Sequence, residues 1–135
     1  MLILFDIDGT LLDDPAAMRA GAAALHSTAG LNGPFESFLA RWCAAADRHF
    51  DRYVSGEVDY QGQRRARVRE VVDGSVDDAG ADALFAVYLE AHEAAWTLYD
   101  DSLACLEALR CHHVGVVSNG RGRQQRDKLA RTGII

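Results

Sequence analysis

Residues 1–14 read Met1-Leu2-Ile3-Leu4-Phe5-Asp6-Ile7-Asp8-Gly9-Thr10-Leu11-Leu12-Asp13-Asp14. The apolar run Met1–Phe5 is short and ends at a turn signal, the pattern of a strand buried in a parallel sheet. In open sheets of that kind the chemistry collects just beyond the carboxyl ends of the strands. Asp6 and Asp8 fall at that place, and Gly9 lets the chain turn away. Such a pair of carboxylates has two readings. One is solvated acids at a strand end; the other is a nucleophile and a proton donor around a divalent cation.

A second stretch, Val114-Gly115-Val116-Val117-Ser118-Asn119-Gly120, repeats the logic. An apolar strand delivers a small hydroxyl, Ser118, and then a turn whose backbone N–H groups can point at an anion. Between the two strands the periodicity is helical. Asp13-Asp14-Pro15 starts a helix, on which Met18, Ala22, Leu25 and Ala29 repeat until Gly30 and Asn32-Gly33-Pro34 end it. Phe35, Phe38, Leu39, Trp42, Cys43, Ala46, Phe50 and Tyr53 form the stripe of a second helix. A third, Tyr60 to Val72, carries Arg64, Arg65, Arg67 and Arg69, and Asp73-Gly74-Ser75 breaks it. From Asp77 or Asp78 a fourth helical pattern runs through Leu84, Phe85, Tyr88, Leu89, His92, Ala95, Trp96 and Tyr99. A short helix with Leu103, Leu106 and Leu109 inward precedes the second strand, and a last helix with Leu129 inside follows it.

Residues 14–96 are far more than one crossover requires, since a whole βαβ unit runs to ~30 residues. The expected fold is α/β: a Rossmann-like parallel sheet core, incomplete in this chain, with an inserted α-helical cap domain. The core takes residues 1–13 and 97–135 and the cap residues 14–96.

Composition narrows the function classes. The chain has 135 residues, a net charge of −6 and 49% hydrophobic residues, ordinary for a compact domain. Mild acidity gives no reason to expect nucleic acid or an anionic membrane as partner. No apolar segment approaches the ~18 residues of a membrane span, and the run Met1–Phe5 is too short for a signal-peptide core. Cys43, Cys105 and Cys111 are odd in number and match no metal or redox spacing. They read as reduced thiols of a cytoplasmic protein, the first two on buried helix faces. His26, His49, His92, His112 and His113 share no ligand spacing.

The string Leu2-Ile3-Leu4-Phe5-Asp6-Ile7-Asp8-Gly9-Thr10-Leu11-Leu12 resembles the first motif of the haloacid dehalogenase superfamily, and Val114–Gly120 resembles its second. Tyr99–Leu109 and Gly120–Gly133 look like members with a helical cap inserted after the first strand. The resemblance implies a Mg²⁺-dependent phosphatase acting on a small phosphorylated metabolite. Asp6 would attack phosphorus, form an aspartyl-phosphate intermediate and bind Mg²⁺. Asp8 would protonate the leaving oxygen and later activate water, its carbonyl serving as a second metal ligand. A hard cation with oxygen ligands fits magnesium. Thr10 would stabilise the turn near the phosphate, and Ser118, Asn119 and Gly120 would cradle the phosphoryl oxygens. Arg64 or Arg65, on the cap, would reach a substrate phosphate; the alternative is a solvated face paired with acids such as Glu57, Asp59, Glu70 and Asp73.

Two of the superfamily's four site motifs are not matched. The single lysine, Lys128, reads as a surface residue of the last helix. After Asn119 the only acid is Asp127, where the metal-completing acidic pair is expected. The chain therefore resembles a truncated member, and a catalytically incomplete fragment or phosphate-binding module is the alternative function. A dehalogenase or phosphomutase of the same fold is a further one, although Asp8 favours phosphate-ester hydrolysis because dehalogenating members do not need this acid/base. A sheet of two strands would leave an apolar edge that a homodimer could cover.

Overall fold

Strands β1 (Leu2–Phe5) and β2 (His113–Val116) pair in parallel, Leu2 opposite His113 and Phe5 opposite Val116. The Val117 N–H donates to the Phe5 carbonyl at 2.9 Å, carrying the ladder to the residue before Ser118. This arrangement comes from a computed structural model that describes residues 1–72 and 75–135. Between the strands lie α1 (Asp14–Thr28), α2 (Phe35–Val54), α3 (Tyr60–Val71), α4 (Asp78–Ala94) and α5 (Ser102–Ala108). Helix α6 (Gly122–Arg131) follows β2. The architecture is α/β, a small parallel sheet with helices, as expected for a Rossmann-like core with a helical cap. The chain divides into two compact units, Met1–Ala17 with Ala95–Ile135, and Met18–Ala94. The breaker Asp73-Gly74 lies outside the described residues.

In the first unit the apolar strands are less covered than the sequence predicts. Leu2 and Leu4 are 65% and 55% exposed, whereas Ile3 and Phe5 are half-buried. Alternate side chains of a strand point to opposite faces, and here only one face has cover. Val114, Val116 and Val117 are exposed too. Two further expectations are corrected. Leu103 is exposed, and so is Cys105, because α5 has only two turns and buries Ser102 instead. Trp96 does not continue α4, which ends at Ala94; it belongs to the first unit.

The second unit is a helical body with an aromatic centre. Asp59 starts α3 by accepting from the Gly62 N–H at 2.5 Å, an N-cap of the usual kind. The stripe of α2 buries Phe38 and Trp42. The Trp42 ring meets Tyr88 of α4 edge-on at 4.7 Å and Phe85 at 6.2 Å between centroids. Ala22, Leu25, Val68, Val71 and Ala81 complete this core. Cys43 is half-buried, its Sγ 3.1 Å from the Met18 sulfur.

The α3 arginines are committed inside this unit. Arg65 donates to both Asp82 oxygens at 2.8 Å and to Asp78 at 3.2 Å, and Arg69 donates to Asp78 and to the Val76 carbonyl. Their acids therefore come from α4, not from the residues flanking α3 in sequence. Glu57 pairs with Arg52, and Glu70 pairs with Arg48 and His49 of α2. Hydrogen bonds from Arg65 and then Gln61 pull the Asp82 carboxyl from 3.8 down to about 2, and Arg69 lowers Asp78 in the same direction. A carboxylate held below its unfolded value contributes stability above that value and loses it as pH falls through the folded one. The helical unit is therefore expected to lose stability between about pH 4 and pH 2. Asp82→Asn should flatten the urea midpoint across that window while leaving the ordering of variants above pH 5 to other groups.

Candidate active site

Beyond β1 the backbone folds onto the carbonyl of Ile7, which accepts from the N–H groups of Thr10, Leu11 and Leu12 at 3.0–3.2 Å. Ile7, Leu11 and Leu12 are buried, so the turn is anchored by its apolar residues and presents its polar ones. Gly9 has φ +78°, a conformation that strains any residue with a Cβ. The far side is tied down by Ser102, whose hydroxyl donates to the Leu11 carbonyl at 2.8 Å. The Tyr99 N–H donates to the same carbonyl at 3.0 Å.

This turn separates the two acids. Asp6 is exposed and Asp8 half-buried. Among the described residues no side chain donates to the Asp6 carboxylate. Asp8 is engaged on both oxygens, accepting from the Lys128 ammonium at 2.6 Å and from the Gln125 amide at 3.0 Å. The same amide nitrogen donates to the Ser118 hydroxyl oxygen, which also accepts from the Gly120 N–H at 3.2 Å. The parallel register thus brings the ends of both strands, and the motifs they deliver, into one hydrogen-bonded group.

Lys128 is not a surface residue. Its side chain is only 5% exposed, its ammonium lying 5.7 Å from the Trp96 ring centroid as well as against Asp8. Gln125, one helical step earlier, is 6% exposed. Residues three apart share a face of a helix, and in α6 that face looks at the site. The signal was available in the spacing, but two polar side chains are ordinarily read as solvated. Gly120 is the complement of Gln125: a Cβ there would lie 2.5 Å from the amide nitrogen.

The remaining expected residues are not part of that hydrogen-bonded group. Thr10 and Asn119 are exposed on their turns. In the helical unit, Arg65 is held by Asp78 and Asp82, and Arg64 donates to the Tyr60 hydroxyl at 3.0 Å. The Arg64 guanidinium lies 4.5 Å from the Tyr60 ring centroid and 4.7 Å from that of Phe85. Arg67, which the sequence did not single out, is the buried arginine of that helix. It lies 4.1 Å from the Trp42 ring centroid, and burial lowers its pKa.

Asp6 and the Asp8 carbonyl are oxygen ligands of the right hardness for magnesium. Among the described residues, however, no three acidic, histidine or cysteine side chains come close enough to hold a metal ion. The Asp8 carboxylate is already neutralised by Lys128. Among the described residues, the donor set does not complete a magnesium site.

Adjoining parallel strands end in D-x-D-G-T and in Ser-Asn-Gly, with Lys128 against Asp8, in a small α/β core. The haloacid dehalogenase-like hydrolase family model matches residues 1–135, and the chain belongs to that family. Among solved structures it is similar to the HAD-hydrolase YfnB of Bacillus subtilis, described as bound to magnesium, with TM-score 0.79 and 19% identity. It is also similar to the L-2-haloacid dehalogenase of Xanthobacter autotrophicus (0.68, 22%) and to the defluorinating L-2-haloacid dehalogenase Rha0230 (0.69, 24%). Each match covers 98% of this chain but 58%, 52% and 56% of the other, so the chain spans little more than half the length of these solved relatives. A comparison with curated proteins returns no match. Among the described residues no helix is long and apolar enough to cross a membrane.

Proposed function

We propose that this chain carries the nucleophile and phosphate-binding part of a magnesium-assisted hydrolase of small phosphomonoesters. The observation that carries this reading is the division of labour between the two acids. Asp6 is exposed and, among the described residues, no side chain donates to its carboxylate, which leaves it open to a substrate, while Asp8 is linked to the Ser118 hydroxyl through Gln125. Asp6 attacks phosphorus as the bond to the leaving oxygen breaks, and Asp8 delivers the proton that oxygen needs. In the second step Asp8 takes a proton from water, which opens the acyl phosphate on Asp6. Magnesium, when bound, would neutralise phosphoryl oxygens; Asp6 and the Asp8 carbonyl are the groups that would touch it, with further ligands needed. Among the described residues the three cysteines form no disulfide, which fits a reducing cytoplasm.

A second reading is a phosphate-binding module without turnover, supported by the Asp8 carboxylate being held by Lys128. One assay separates the possibilities. The purified chain is incubated with 4-nitrophenyl phosphate and, separately, with 2-chloropropionate, each with magnesium. Nitrophenol release supports the phosphatase reading, and phosphate binding without release supports the module. Chloride release from 2-chloropropionate with no action on the phosphate ester would overturn both.

A further inference from the structure

We propose that helix α6 supplies two ligands of the phosphate site, Gln125 and Lys128, and that Asp8 occupies them as an internal anion until a phosphoryl group displaces it. The inference rests on the phosphate reading above and deepens it by naming which groups hold the anion.

Three observations carry it. The first is the donor set. The Lys128 ammonium, the Gln125 amide and the Ser118 hydroxyl form one chain of contacts, and all three are partly or wholly buried. The Ser118 oxygen accepts from both Gln125 and Gly120, so its own hydrogen is directed elsewhere, available to an oxyanion. Buried donors of this kind suit a tetrahedral dianion better than one carboxylate, which offers two oxygens where a phosphoryl group offers three.

The second is an unsatisfied atom. Asp8 fixes the Gln125 orientation, because only the amide nitrogen can donate to a carboxylate. That leaves the Gln125 carbonyl oxygen buried with no hydrogen-bond partner among the described residues, a state that costs stability unless a ligand relieves it. A phosphomonoester carrying one proton, or a substrate hydroxyl next to the phosphate, would supply the missing donor. The third is Gly120. Any side chain there would collide with the amide, at 2.5 Å from its nitrogen and 2.7 Å from its carbon. The turn after β2 is therefore shaped around Gln125.

The consequence is a coupling between binding and chemistry. In the unliganded chain both Asp8 oxygens are tied up, and Asp8 cannot approach a leaving group. When phosphate takes Lys128 and Gln125, the Asp8 carboxylate is released without its counter-ion; it takes up a proton from water and can then deliver that proton to the leaving oxygen.

The chain has a single lysine, so protein labelled with ¹⁵N at lysine Nζ gives one lysine signal that needs no assignment. Inorganic phosphate is titrated into the full chain, followed by calorimetry and by that signal. Lys128→Gln is expected to weaken phosphate binding about tenfold or more, and Gln125→Leu several-fold. Arg126→Gln, which removes the same charge from the exposed face of α6, should change it less than about twofold. In the wild-type chain the lysine signal should shift with the calorimetric midpoint, which holds even if Lys128→Gln does not fold. Phosphate binding that saturates with the lysine signal unmoved, or that Lys128→Gln weakens no more than Arg126→Gln, would overturn this assignment and leave the phosphate reading standing. No phosphate binding by the wild-type chain would overturn both.

Discussion

Asp6→Asn is expected to abolish formation of a phosphorylated protein and to lower any phosphate-ester turnover by about a thousandfold or more. An amide of the same shape keeps the turn, since Asp6 is exposed and the Ile7 carbonyl, not Asp6, organises the backbone there. What it removes is the ionised oxygen that must bond to phosphorus. The readout is chemical. Borohydride reduces an acyl phosphate, so wild-type protein treated with a phosphate ester and then reduced should carry homoserine at position 6. The Asn variant should carry none. Asp8→Asn separates the two acids: it should slow both steps, and with a good leaving group, which needs no proton, the label should persist on Asp6 because water is no longer activated. Homoserine at position 8, or turnover indifferent to Asp6→Asn, would show that the roles have been assigned to the wrong residues.

How much of this could be read from the sequence follows from which forces are local. The strand ends were legible because an apolar run, a carboxylate and a glycine lie within ten residues, and Gly9 does adopt a positive φ. The helical stripe of α2 was legible for the same reason, and Phe38 and Trp42 are buried as its spacing requires. Lys128 was not. Its burial depends on Asp8, 120 residues away, and a lone lysine on a polar helix is usually solvated. Nor was the pairing of Arg65 with Asp82: nearby acids in sequence compete on paper, and only the packing of α3 on α4 decides. Arg67 shows the same limit from the other side. Four arginines at similar positions read alike, yet one of them is buried against Trp42.

That burial makes Trp42→Ala the most damaging substitution expected in the helical unit. Trp42 is fully buried, and its ring touches the cores of α2 and α4 through Phe38, Phe85 and Tyr88. Truncating a buried tryptophan to alanine costs about 3–5 kcal/mol through lost burial and the cavity left behind. Here a second cost adds to it. The Arg67 guanidinium rests 4.1 Å from the Trp42 centroid, and its Nε and Nη2 atoms are buried without hydrogen-bond partners among the described residues. The Trp42 face offsets part of the burial of that charge, alongside a hydrogen bond with Tyr88, so removing it leaves the cation less covered beside a void. A domain of this size is stable by only about 5–15 kcal/mol, so Trp42→Ala should bring it close to unfolding at 25 °C, seen as loss of most of the urea midpoint by far-UV circular dichroism. Trp42→Phe is the discriminating variant. It keeps an aromatic face and deletes an indole N–H that is itself buried and unpaired, so its cost should be well under half that of alanine. If phenylalanine proves as damaging as alanine, the indole is engaged in some way other than as a cover for Arg67. If Arg67→Met rescues Trp42→Ala, the buried cation is the larger part of the loss.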